Sequence, residues 1–376
     1  MDKYEYLWMC IRNNHLPGDI SNGGKMTYEE ILSLSKQGLR EKCGLTEKQA
    51  LYVIGKAKEM DMEREYEKFL NSDISVVTLR DNDYPECLKY IDNRPYALFY
   101  RGKLPDIGKR TVAVIGTRNC TEYGRYMAET IAKDLGARGI NIISGMAYGI
   151  DGIAQMAAMN GGGKSFGVLG CGVDICYPRV NRQLYERLIS EGGIISEYPP
   201  GSPARPENFP LRNRIISGLS EAVLVVEAKL KSGTFITVDY ALSQGREIIV
   251  VPGRATDSLS TGCNALILQG AGLVQSADDV ERFLDTISPA FYMRKNSRND
   301  FRTEQLEELV PRKVEKILLE REENMVYSVL DFYSLSSEDI MKATELDIFQ
   351  VMDALISLEM RGLIKETGKN SYVKCR

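Results

Sequence analysis

Residues that could move a proton or grip a phosphate are distributed unevenly along this chain. It has one histidine, His15, while arginine recurs beside glycine, proline, asparagine or an aromatic ring in three short runs: Gly116-Thr117-Arg118, Tyr177-Pro178-Arg179, and Phe209-Pro-Leu-Arg212-Asn213-Arg214. A Gly-Thr-Arg turn offers backbone amides, a hydroxyl and a fixed guanidinium fork, a set suited to a single phosphate. Its plainer alternative is an arginine paired with a surface acid. Cations beside rings suit single-stranded nucleic acid, with charge along the backbone and an aromatic face under the bases. The competing reading makes Phe209 a core residue and has Arg212 or Arg214 tie a loop to an acid such as Glu197. Ser144-Gly145-Met-Ala-Tyr-Gly-Ile-Asp151 adds a hydroxyl, two glycines and an acid at a strand-to-helix junction, where free amides and the helix dipole favour an anion. Asp151 there is either a first-turn dipole partner or a loop anchor.

The elements that must position these groups are legible as apolar runs ending in glycine or serine turns: Val112–Ile115, Ile140–Ile143, Phe166–Leu169, Ala222–Val226 and Ile248–Val251. Short apolar strands alternating with helical patterns imply a parallel, doubly wound sheet with ligands beyond the carboxyl ends of its strands. Two glycine motifs miss their usual chemistry. Gly161-Gly-Gly-Lys164-Ser165 precedes a strand, whereas a P-loop follows one, and Ala158 holds the position of its first glycine. Gly170-Cys-Gly172 lacks the third glycine of a dinucleotide fingerprint, since Ile175 stands there.

The 376 residues are 43% hydrophobic and 27% charged with a net charge of −4, ordinary for a globular protein of two or three domains. A nucleic-acid ligand would need a local basic groove, because the surface as a whole is not basic. Eight cysteines lie scattered with no Cys-x-x-Cys pair, which fits free thiols in a reducing compartment and no metal site. No apolar run approaches the roughly 18 residues of a membrane span, and the N-terminus lacks the basic and apolar regions of a signal peptide. A cytoplasmic location is expected.

Four regions follow from pattern. Residues 1–72 read as helical, with a Thr27/Glu30 capping box and a helix, glycine turn, helix over Leu39–Ala50; the turn suggests a sterile-alpha-motif-like or helix-hairpin-helix-like module, or plain helical packing. Residues 73–287 carry the sheet, preceded by β-rich stretches at Ile74–Leu79 and Tyr96–Gly102. Residues 288–321 read as a charged linker, part helical and part flexible. Residues 322–376 read as three helices and a hairpin, a winged-helix pattern whose third helix, capped by Thr344, carries Glu345, Asp347, Asp353 and Glu359. That acidity favours a protein contact over duplex reading.

Taken in order, Val112-Ala-Val-Ile-Gly-Thr-Arg118, Ser144–Asp151, Val168-Leu-Gly-Cys-Gly-Val-Asp174, Ser196-Glu-Tyr-Pro-Pro-Gly201, Phe209–Leu219, Ser232-Gly-Thr234 and Val251-Pro-Gly253 resemble the DNA-processing protein A (DprA/Smf) family over about half the chain. The resemblance implies an α/β, Rossmann-like fold and a non-catalytic protein without cofactor. Such a protein binds single-stranded DNA as a homodimer and loads the RecA recombinase during natural transformation. It also implies a DNA pocket at Gly116, Thr117, Arg118, Ser144, Gly145, Arg212, Asn213 and Arg214, with Arg179 and Phe209 beside it. One departure is Gln155, where the family commonly carries histidine. Two rival functions are a phosphoribohydrolase-like enzyme and a nucleotide-sensing scaffold. The first expects a glutamate three residues after Gly233-Thr234, where this chain has Thr237.

Overall fold

The structure is a computed structural model and describes residues 2–12, 16, 20, 26–106, 108–286, 321–331, 334–344 and 346–375. His15, Glu345 and all but the last residue of the expected 288–321 linker lie outside the described residues. The chain divides into two compact units, residues 1–119 with 128–287, and residues 288–376 with 120–127.

The first unit begins with five helices: α1 (Lys3–Arg12), α2 (Tyr28–Ser33), α3 (Lys36–Cys43), α4 (Glu47–Glu59) and α5 (Met62–Leu70). Their ends are written in the sequence. Thr27 Oγ1 accepts from Glu30 N–H at 3.2 Å while Glu30 Oε2 accepts from Thr27 N–H at 2.8 Å, and Gly44 closes α3 in the left-handed region with φ 68°. The helices bury Trp8, Leu7 and Ile31 and share one apolar cluster with the sheet edge that follows, including Tyr96, Ala97 and Phe99. The Tyr28 and Tyr96 hydroxyls meet at 2.7 Å across that seam.

The sheet has nine strands. β1 (Ser75–Thr78) and β2 (Ala97–Gly102) precede an alternating series: β3 (Thr111–Ile115), α6 (Glu122–Ala137), β4 (Asn141–Ser144), α7 (Ile150–Asn160), β5 (Ser165–Val168), α8 (Arg182–Glu191), β6 (Gly193–Ser196), α9 (Asn208–Gly218), β7 (Ala222–Val225), α10 (Thr234–Ser243), β8 (Glu247–Val250), α11 (Thr261–Leu268), β9 (Gly272–Leu273) and α12 (Ala277–Thr286). The order across the sheet is β1-β2-β6-β5-β4-β3-β7-β8-β9. Strands β3 to β9 run parallel, and β1 and β2 add an antiparallel edge against β6. Every residue of β3, β4, β5, β6 and β7 is buried, which explains why β3, β4, β5 and β7 read as apolar runs. Each buried Val, Ile or Leu contributes roughly 1.5–3 kcal/mol relative to exposure.

Successive strands leave β3 on one side through β4, β5 and β6, and on the other through β7, β8 and β9. The order therefore reverses between β3 and β7, where two adjacent strand ends send their loops apart and open a crevice. The glycine run that mimics a P-loop lies at the opposite end. Gly161 to Gly163 turn α7 into β5, and Lys164 pairs with Asp106 at 2.7 Å.

The second unit packs α13 (Arg321–Val329), α14 (Ser337–Thr344) and α15 (Ile348–Met360) against β10 (Leu335–Ser336), β11 (Ile364–Gly368) and β12 (Ser371–Lys374), with β12 central and antiparallel to both neighbours. Its core holds Val326, Leu330, Ile340, Val351, Leu355 and Leu358. Thr344 does not cap the last helix as expected: it ends α14, its hydroxyl donating to Ile340 O at 2.7 Å. Asp347 caps α15 instead, in a reciprocal pair with Gln350 that satisfies two amides where Thr344 lies too far upstream to reach. Among the described residues no helix is long and apolar enough to cross a membrane.

Candidate functional site

A cavity of about 620 Å³ opens at the β3/β7 reversal. One lip is the turn after β3, where Gly116, Thr117 and Arg118 line it; the other is the turn into α10, with Ser232, Gly233 and Thr234. Phe209, Arg212 and Asn213 reach it from α9, and Tyr177 from the segment after β5.

The first lip is held rigidly. Thr117 N–H donates to Glu227 O at 2.8 Å, coupling the β3 turn to the end of β7, and Thr117 Oγ1 accepts from Asn119 N–H at 3.3 Å. Gly149 underlies it with φ 72°, and a Cβ there would stand 2.4 Å from Thr117 O, so only glycine fits. Arg118 is exposed, and among the described residues neither a hydrogen bond nor an ion pair ties its guanidinium down. The pairing with a surface acid that could have explained it is absent there. Arg118 is a rim cation with its full fork available.

Arg212 is the floor. It is buried, and Nη1 donates to Gly145 O at 3.0 Å and to Val168 O, binding the ends of β4 and β5 together. Burial lowers its pKa to about 10, against the opposing charge of Asp151. Asp151 is itself pushed above the ordinary carboxylate range by burial, although Arg212 and the Gly145 N–H, which donates to Oδ2 at 3.1 Å, pull the other way. A side chain at Gly145 would collide with both: its Cβ would stand 2.6 Å from Arg212 Nη2 and 2.8 Å from Asp151 Oδ2. The wall is aromatic. Tyr177 and Phe209 lie with centroids 5.3 Å apart and planes tilted by 33°, and the Arg212 guanidinium sits 6.0 Å from the Phe209 ring.

The structure brings together Gly116, Thr117, Arg118, Phe209, Arg212 and Asn213. It does not bring Ser144, Gly145, Arg179 or Arg214 to the cavity lining. Ser144 is wholly buried and its hydroxyl donates to Val114 O at 2.6 Å, fastening β4 to β3. Gly145 acts behind the lining, as described above. Arg179 is exposed in a one-turn 3-10 helix, Arg179–Asn181, that holds the neighbouring loop through Asn181, whose Nδ2 donates to Met146 O and Ala147 O at 3.0 and 3.1 Å.

Arg214 is turned inward, away from the cavity lining, and its expected place in the pocket is corrected accordingly. It forms a fork-to-fork pair with Glu197, both bonds 2.6 Å, and Nε donates to Asn93 O at 2.9 Å. The pair's side chains are 8% and 1% exposed. Burial works against the Arg214 charge, but the hydrogen bonds and charge of Glu197 outweigh it, so its pKa stands above the usual arginine value. Helical geometry separates the three residues. Positions 209, 212 and 213 share one face of α9, whereas 214 is turned about 200° from 212.

Gln155 is wholly buried, accepting from Met146 N–H at 3.1 Å and donating to Phe166 O at 3.0 Å. It steadies Met146, whose φ of 54° is unusual for a residue with a side chain. Sequence reasoning missed Tyr177, Ser232, Thr234 and Thr237 as lining residues. Tyr177-Pro and Ser232-Gly-Thr234 were visible as motifs, and the position of the latter directly after β7 was the signal available.

A family model described as DNA recombination-mediator protein A matches residues 75–285. The chain is 40% identical over 219 residues to the DNA processing protein DprA of Streptococcus pneumoniae, covering 58% of this chain and 76% of that protein. It is 40% identical over 208 residues to DprA of Bacillus subtilis, covering 55% and 70%. Among solved structures, that of Streptococcus pneumoniae DprA is similar with a TM-score of 0.65 at 32% identity over 77% of this chain and 99% of that one. A Helicobacter pylori DNA processing protein A, described for its single-stranded DNA binding mode, is similar with a TM-score of 0.53 at 28% identity over 58% of this chain and 99% of that one.

Proposed function

Because this chain belongs to the DNA recombination-mediator protein A family, we propose that it binds single-stranded DNA in the β3/β7 crevice, protects the strand, and delivers it to RecA during transformation or recombination. The observation that carries this reading is the pairing, in one crevice, of an untied rim arginine, Arg118, with the Tyr177–Phe209 ring pair. Arg118 takes a backbone phosphate through its guanidinium fork, and a base lies against the rings. The buried Arg212 keeps the floor positive with little freedom to move. Neither element selects a base, so binding is sequence-tolerant.

The reading is of a binding protein, not of an enzyme. Among the described residues Asp151 is the one carboxylate in the lining, and it is held by the Gly145 amide beside Arg212. Thr237 stands where a phosphoribohydrolase would need its acid. The protein works as a homodimer, with residues 1–72 as a sterile-alpha-motif-like or helix-hairpin-helix-like module and residues 322–376 as a winged helix used for protein contact. The exposed Phe349, Asp353, Ile356 and Met360 on α15 support that last assignment, since they offer a DNA backbone no cation.

The test is fluorescence anisotropy with a labelled oligo-dT and a matched duplex across a salt series. Tight, salt-sensitive binding of the single strand over the duplex supports the proposal. Equal or weak binding of both would overturn it.

A further inference from the structure

The lip opposite Arg118 has binding capacity that the single-strand reading leaves unused. The N-cap of helix α10 is Gly233, which has no side chain to cap it. The Phe235 and Ile236 amides bond back to Ser232 O and Gly233 O at 3.1 and 3.3 Å, and among the described residues the Gly233 and Thr234 amides have no backbone acceptor. A bare helix N-terminus alone would mean little. Three hydroxyls in the cavity lining sharpen the picture. Thr237 is 3% exposed and Thr234 8%, and among the described residues neither hydroxyl has a hydrogen-bond partner. A helical threonine ordinarily satisfies its hydroxyl on the carbonyl four residues back; Thr237 does not. Ser232 Oγ is also buried without a partner. A buried hydroxyl left unpaired, as Ser232 Oγ is, is costly and ordinarily finds an acceptor or donor. Thr234 and Thr237 stand beside it in the cavity lining, at the positive end of a helix dipole.

We infer that this N-terminus of α10 is a second phosphate subsite, formed by Ser232, Gly233, Thr234 and Thr237, and that it takes a phosphodiester of the bound strand neighbouring the one held by Arg118. The inference rests on the single-strand reading above. Among the described residues no cation lines this lip, so its neutral donors match the single charge of an internal diester. With Arg118 across the crevice, the strand is gripped on either side of the base that meets Tyr177 and Phe209.

The experiment compares wild type, Thr234→Val, Thr237→Val, Thr237→Ser and Arg118→Ala, using oligo-dT carrying a neutral methylphosphonate at one linkage at a time. Each valine variant should bind unmodified oligo-dT about fivefold to tenfold more weakly. Its dependence on salt should be unchanged, since hydroxyls replace no counterion. It should also lose the sensitivity wild type shows to methylphosphonate at one linkage, and Thr237→Ser should recover both. Valine variants that bind and respond to the modified linkages like wild type, while Arg118→Ala binds weakly, would overturn this inference alone. Failure of wild type to bind the oligonucleotide would remove the single-strand reading and this inference with it.

Discussion

Replacing Arg214 by alanine should damage the fold far more than the binding site. The guanidinium spends both terminal nitrogens on Glu197 at 2.6 Å and its Nε on Asn93 O at 2.9 Å, with the two side chains 8% and 1% exposed. Deleting it leaves the buried Glu197 carboxylate without its paired counter-charge, which costs about 3–5 kcal/mol. For a unit of this size each kcal/mol lowers the melting temperature by about 2–4 °C, so the expected drop is roughly 6–20 °C. Circular-dichroism melts give this directly. The double variant Arg214→Met with Glu197→Leu should recover most of the loss, because it removes the stranded charge together with its partner. Below its melting temperature the single variant should bind oligo-dT within about threefold of wild type, as expected for a site that does not touch the ligand. An unchanged melting temperature combined with lost binding would refute the reasoning and return Arg214 to the crevice.

Three further outcomes follow from the geometry. Gly145→Ala should lower both stability and strand affinity, because the new methyl meets Arg212 Nη2 at 2.6 Å and displaces the floor cation; melts and anisotropy read the two effects separately. Gln155→His should bind like wild type near pH 8, where a neutral ring can still accept from Met146 N–H and donate to Phe166 O. It should weaken as pH falls through about 6.5, because an imidazolium cannot accept; a pH-independent affinity would count against Gln155 as the support of the Met146 turn. Burial raises the thiols of Cys10, Cys171 and Cys263 to about 12 and that of Cys87 to about 11. Between pH 9 and 11 the folded chain therefore keeps protons that the unfolded chain releases, so stability should fall as pH rises through that window. Urea titrations at pH 8 and pH 10.5 check the direction.

The sheet was legible because β3, β4, β5 and β7 are buried along their whole length and so read as apolar runs, the first three ended by the glycine or serine that turns the chain away from the sheet. The antiparallel edge was visible as two β-rich stretches, but its attachment to β6 was not, because Gly193-Ile-Ile-Ser196 carries only two strongly β-forming residues. In the site, the Gly116–Arg118 turn was readable from composition alone. The Arg212-Asn213-Arg214 run misled because adjacency in sequence is dispersal on a helix; applying the 3.6-residue period to α9 would have kept Arg212 with Phe209 and set Arg214 apart. The α10 lip was visible as a motif but not as a binding surface, since Ser, Gly and Thr are common helix-starting residues.

The most direct measurement is the salt dependence of oligo-dT affinity for wild type and Arg118→Ala, followed by anisotropy. Loss of this untied cation from the crevice should weaken binding by about 1.5–3 kcal/mol for a charge-assisted contact and reduce the log–log salt slope by about 0.7, one phosphate's worth of counterion release. An Arg118→Ala protein with wild-type affinity and slope would contradict a strand held in the β3/β7 crevice.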